Sequence, residues 1–161
     1  MSLFFPTPAE EAEPTKSPAT TTLTLEKALT DAFIQALQSE MESSLVVTAA
    51  ENFEKVILPA CFVKATRQSE SIINSGIFNF SVDISLLVQA DDSDPQTHES
   101  LWAEVLCVAY DIFNLISRLN SIRPQYAYIY GIVRDGGVTM ATTDRHFERS
   151  VTLTVHSALV S

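Results

Sequence analysis

Two short clusters in this chain have the residue types and spacing that invite a chemical reading. Asp91, Asp92, Asp94, His98 and Glu99 bring hard oxygen donors and one imidazole together within nine positions, the raw material of a site for a hard cation. The spacing matches no EF-hand loop, and acidic residues at the start of a helix are expected from the helix dipole alone. Helix capping and solvation therefore account for the cluster.

A second polar knot comprises Asp144, Arg145, His146, Glu148 and Arg149. A histidine beside carboxylates has the means to act as a general base, but the sequence ties no serine or cysteine nucleophile to it. Arg149 shares strand parity with Phe147 and Val151, which predicts a paired, half-buried guanidinium of the kind found in interfaces and salt bridges. Tyr126, Tyr128 and Tyr130 fall on one face of their strand. Without basic neighbours they read as a protein interface or sheet face, not as a platform for stacked bases.

The usual loops of nucleotide and hydrolase chemistry are absent: there is no GxGxxG, P-loop, GxSxG or HExxH sequence. With four glycines in 161 residues, a phosphate cradle is hard to build. The reading is therefore of a protein that is not an enzyme and carries no cofactor. Ten Lys and Arg against twenty Asp and Glu give a net charge of −10, the wrong sign for gripping DNA through its phosphates. No apolar run approaches the roughly 20 residues that cross a bilayer, and the first residues lack the basic and apolar regions of a secretory leader. Cys61 and Cys107 both lie among apolar neighbours, so two buried, unpaired thiols are expected.

The elements that would position these residues follow from periodicity. With 46% hydrophobic residues, the chain suits a single globular domain. Residues 1–22, with Pro6, Pro8, Pro14, Pro18 and a threonine run, are expected to form an extended or disordered arm. Phe4 and Phe5 suggest that such an arm orders against a neighbour. The domain proper spans 23–161.

Leu25, Ala28, Leu29, Ala32, Phe33, Ala36 and Leu37 form one helical stripe with Thr24 as the expected N-cap. Strands are expected at 45–50 and 56–64, with Pro59 demoting part of the second to an edge. A polar loop at 67–75 follows. Strict alternation from Phe78 to Val88 marks a long strand with one buried face. Asp94-Pro95 opens a second helix, in which Trp102, Val105, Ala109, Ile112, Ile116 and Leu119 form a stripe widened by Leu106 and Phe113. A strand over 126–134, a hairpin turn at Asp135-Gly136-Gly137, and a return strand come next. Last is an alternating strand with Val151, Leu153 and Val155 inward. The fold class is α+β, an antiparallel-rich curved sheet with two main helices packed on one face.

From about Leu25 onward, this layout resembles the tail-terminator, or tail-completion, proteins of tailed bacteriophages. The resemblance rests on the opening helix, the strand pair around Val46 and Ile57, and the long strand FNFSVDISLLVQADD. It continues through the acidic turn leading into SDPQTHESLWAEVL and the closing segments YIYGIVRDGG and HFERSVTLTVHS. It implies a structural virion protein of the tail and neck, assembled in the host cytoplasm into a homo-oligomeric ring, usually a hexamer. Its partners would be the tail tube protein and the head–tail connector proteins, with DNA passing through the lumen without specific binding and no membrane involved.

A closed ring needs a heterologous interface, and the polar segments suggest its two sides: Arg67 and Glu70 on one, Asp135, Arg145 and Arg149 on the other. Other neck or connector subunits and adaptor modules share this general look. A small ligand-binding or hydrolytic α+β domain would have to draw its polar groups from His98 and the His146 region.

Overall fold

The computed structural model describes residues 18–70, 77–89, 95–122, 127–142 and 146–159. Helix α1 spans Pro18–Glu40, and strand β1 (Val46–Ala49) leads through a 3-10 turn (Ala50–Lys55) into β2 (Ala60–Glu70) and β3 (Ile77–Gln89). Helices α2 (Pro95–Tyr110) and α3 (Ile112–Ile122) follow, then β4 (Ala127–Thr142) and β5 (His146–Leu159). The strands form one sheet in the order β1-β2-β3-β5-β4. The β1–β2 pair is parallel, and the other three are antiparallel.

This is the expected α+β architecture, with one helical layer on one sheet face. Alternation decides which face. Phe78, Phe80, Val82, Ile84, Leu86 and Val88 of β3 and Val151, Leu153 and Val155 of β5 are buried against Leu29, Phe33 and Leu37 of α1, Trp102, Val105 and Ala109 of α2, and Leu115 and Leu119 of α3. The opposite face is polar along its centre. There Thr152 Oγ1 donates to Asp83 Oδ1 at 2.7 Å, and His156 Nδ1 lies 2.8 Å from Asn79 Oδ1. A smaller apolar cluster, Ala60, Phe62 and Leu87 with Val56 and Leu58, occupies one corner under the 3-10 turn.

Several boundaries differ from the sequence reading, each for a local reason. The helix begins at Pro18, five residues before the expected start of the domain at residue 23, because proline is well suited to a first helical turn; Thr24 therefore lies inside the helix and is no cap. Residues 1–17 lie outside the described residues. Strand β2 begins just after Pro59, which has no N–H to give a ladder, and runs through Arg67 to Glu70 where a loop was expected. Pro95 does open α2, while Asp91, Asp92 and Asp94 lie outside the described residues.

The second helical stretch is two helices meeting at 71°. The bend lies at Asp111, and Arg134 of β4 donates from Nη2 to the Tyr110 carbonyl (3.4 Å) while its guanidinium sits 4.2 Å from the Tyr110 ring centroid. The bend also rotates the apolar stripe. In α3, Leu115 and Leu119 are the buried residues, and Phe113, expected in the core, is 89% exposed. No single described helix is long and apolar enough to cross a membrane.

The Asp135-Gly136-Gly137 segment is not a hairpin turn. It lies within β4 as an irregularity, with the register shifting between Asp135 and Thr139 and Gly136 at φ +79°. A glycine with positive φ serves a bulge as readily as a turn, and the chain reverses only after Thr142. Of the two cysteines, Cys61 is buried, with its thiol pushed up to about 12 by that burial. Cys107, expected to be buried, is exposed on α2.

Candidate subunit interface

A sheet has two margins, and unpaired main-chain groups along them are where another chain can add. In this protein the margin on the β1 side is closed by α1. Gln38 Nε2 donates to the Leu45 carbonyl (3.0 Å), and Gln38 Oε1 accepts from the Val47 N–H (2.9 Å). One side-chain amide thus substitutes for a neighbouring strand. The β1–β2 pairing stops at Ala49 and Val63, and beyond it the margin belongs to β2. There Thr30 Oγ1 accepts from the Ala65 N–H (3.2 Å), and Glu26 Oε2 accepts from the Arg67 N–H (2.5 Å). Glu26, Thr30 and Gln38 recur at multiples of four along α1, so one helix supplies the acceptors for these three N–H groups.

The β4 margin is closed over its first half only. Asn120 of α3 takes both main-chain groups of Ile129: Nδ2 donates to the carbonyl at 2.7 Å and Oδ1 accepts from the N–H at 2.9 Å. Past Ile132 every residue through 142 is exposed, including Val133 (53%), Val138 (43%) and Met140 (65%). Beyond the contact of Arg134 with Tyr110 of α2, this outer half of β4 is a long, partly apolar edge among the described residues.

The residues singled out from sequence do not form one patch. Arg67 lies in β2 opposite Phe80; its Nε donates to the Gln68 carbonyl, and its guanidinium stands 5.3 Å from the Phe78 ring centroid. Glu70 ends β2 opposite Phe78, with its side chain outside the described residues, as is all of Arg145. Asp135 is exposed at the β4 irregularity, level with Thr152. Arg149 faces the helical layer, as its parity predicted. It pairs with Glu99 of α2 and lies 5.6 Å from the Phe147 ring centroid. The hydrogen bond from Arg149 holds the Glu99 carboxyl below the usual carboxylate range. Arg149 is thus occupied within its own subunit, and among the described side chains of the expected pair of surfaces Asp135 lies on the open edge.

Glu104 of α2 performs a different task. Its carboxylate receives the Ser43 hydroxyl (2.5 Å) and the N–H groups of Glu42 (2.7 Å) and Ser43 (3.1 Å), fixing the turn that leads from α1 into β1. Partial burial opposes its ionisation, but the three donors prevail and keep its pKa below the usual range.

Nothing in this geometry assembles a reaction centre from the described residues. No group of three or more His, Cys, Asp or Glu side chains among them stands close enough to hold a metal ion. A groove of about 420 Å3 between α1, β1 and β2 is lined by Glu26, Lys27, Thr30, Asp31, Glu51 and Lys64 together with small apolar side chains. Neither His98 nor His146 lines it. The features that sequence reasoning missed are the side-chain amides of Gln38 and Asn120 and the apolar outer edge of β4. Val138 and Met140 were the available signal, being apolar residues in a segment read as turn and return strand.

No protein-family model matches the chain, and a search of curated proteins gives no significant match.

Proposed function

We propose that this protein is a structural subunit of a phage virion, a ring-forming tail terminator that sits where the tail tube meets the head–neck connector. The observation that carries this reading is the contrast between its two sheet margins. One margin is sealed by helix side chains. The other ends in an exposed edge bearing Val133, Val138 and Met140. Unlike margins at opposite ends of one sheet suit a heterologous contact, which closes into a ring when the rotation per subunit is right.

The charge of −10 supports the same reading, because acidic walls repel DNA passing through a lumen. The order of elements supports it as well: an opening helix, a long central strand, a helical pair, and a closing pair of strands. In this role the partners are further copies of the chain, a hexamer being the expected ring, together with the tube and connector proteins.

Light scattering and negative-stain imaging, on the protein alone and mixed with assembled tail tubes, test the proposal. The expected result is closed rings, or density capping one end of each tube. A monomer or dimer that leaves tubes unchanged overturns it.

A further inference from the structure

Asp135 and Gly136 form the one Asp-Gly pair in the sequence, which has no Asn-Gly. An aspartyl–glycyl bond has a chemistry of its own, because the glycine main-chain nitrogen can reach the aspartyl Cγ in a five-membered ring. In a folded protein that closure needs an accessible carboxyl, an uncrowded nitrogen and a main chain free to bend. All of these meet here.

Asp135 is exposed, as are Gly136 and Gly137. A Cβ at either glycine would meet nothing within 4 Å among the described residues, so the space around the attacking nitrogen is open. The ladder with β5 passes from Asp135 opposite Thr152 to Thr139 opposite Ser150. Residues 136–138 therefore span the place of Val151, outside the regular pairing that holds a strand in line. Gly136, at φ +79°, has the conformational range that glycine offers. The site also lies past the Asn120 bonds that pin Ile129, where a strand edge opens locally at little cost.

The other described aspartates each fail one of these conditions. Asp31 precedes Ala32 inside α1, where the helix fixes the amide nitrogen. Asp83 and Asp111 each precede an isoleucine, whose branched Cβ crowds that nitrogen. Asp83 Oδ1 also accepts from the Thr152 hydroxyl. Asn120, which could close the same ring with loss of ammonia, sits in α3 with both amide atoms engaged by Ile129.

We infer that Asp135 is a site of self-modification, converting to isoaspartate through a succinimide formed with Gly136. The Gly136 nitrogen bonds to Asp135 Cγ, and the carboxyl hydroxyl leaves as water with the nitrogen's proton. Water then adds to one of the two imide carbonyls. Attack at Cγ restores aspartate. Attack at the main-chain carbonyl leaves the chain running through Cγ, with a free α-carboxylate. No oxidant or co-reactant enters, and the net composition is unchanged. The product places an extra main-chain carbon in the exposed half of β4, between Val133 and Met140. This inference is independent of the ring reading.

The test incubates the full chain for several days near neutral pH, folded and, in parallel, unfolded in urea. Isoaspartate is read by isoaspartyl methyltransferase labelling and located by peptide mapping with electron-transfer fragmentation. In the folded protein it is expected first at residue 135, accompanied by a succinimide peptide lighter by one water. The label at that peptide should be lost in Asp135→Glu, which cannot close the five-membered ring. Isoaspartate at 135 in the unfolded chain alone overturns the inference. So does formation in the folded protein no faster at 135 than at Asp31, Asp83 and Asp111.

Discussion

Asn120 holds both main-chain groups of Ile129, donating to its carbonyl at 2.7 Å and accepting from its N–H at 2.9 Å. The Ile129 side chain is itself buried beneath α3. Removing the amide leaves a donor and an acceptor unpaired beside the core, each costing about 1–3 kcal/mol when partly shielded from water. Asn120→Ala should therefore lower unfolding stability by about 2–3 kcal/mol, read as a lower urea midpoint at unchanged slope. Gln38→Ala should act the same way on β1 and also expose the edge at Val46, giving concentration-dependent association. A change within experimental error in both variants would show that these amides are ornamental.

Arg149 is a test of what belongs to folding and what to assembly. It pairs with Glu99 on the helical face, and its Nε is buried without a hydrogen-bond partner among the described residues. Arg149→Glu should destabilise the monomer, because it sets a like charge beside the Glu99 carboxylate with which Arg149 pairs. Arg149→Met should be tolerated, since an apolar side chain of similar length removes the orphaned donor. Chemical denaturation of both variants decides the matter. A stable Arg149→Glu monomer that fails only in ring formation would return Arg149 to the interface.

Glu104 makes stability depend on pH. Its folded pKa lies below the ordinary glutamate value of 4.5, so its contribution is fully present above that value. The contribution disappears as pH falls through the lowered one. Glu104→Gln should cost about 1–2 kcal/mol at neutral pH, from weakened charge-assisted bonds to Ser43 and Glu42. The difference from the parent should shrink as the medium becomes acid. Urea midpoints measured across that range would show a constant gap if the carboxylate is not the stabilising species.

Gly136 and Gly137 separate backbone strain from crowding. A Cβ at either would meet nothing within 4 Å, but only Gly136 has a positive φ. Gly136→Ala should cost about 1–2 kcal/mol from the left-handed backbone alone. Gly137→Ala should be neutral, or stabilising by about 0.4–1 kcal/mol. Equal effects in thermal unfolding would contradict the assignment of a bulge at Gly136.

The parts of this fold legible in the sequence are those where one face is wet and the other dry. Strands β3 and β5 announced themselves because alternation marks most of their length, broken in β3 at Leu87, and the inward set of β5, Val151, Leu153 and Val155, was read residue by residue. The parity of Arg149 followed from the same rule. Where a residue type serves two geometries, the reading went astray. Asp-Gly-Gly suits both a hairpin and a bulge, and a bulge was formed. Phe113 continued a helical stripe that the bend at Asp111 rotated away. The edge amides left no trace at all, since Gln38 and Asn120 are polar residues with main-chain partners, and no sequence period marks them. The candidate site suffered most, because exposure along β4 depends on where α3 ends.

The long central pairing has a mechanical consequence. All thirteen residues of β3 are matched to β5 without a break, from Ile77 with Ala158 to Gln89 with His146. Their hydrogen bonds lie across the strand direction. A tensile load applied along these strands would strain the whole ladder in shear at once, whereas a load across them would part it one bond at a time. The domain is therefore stiff along one axis and weak along the other, and it can bear traction only when held with its central strands in line with the pull.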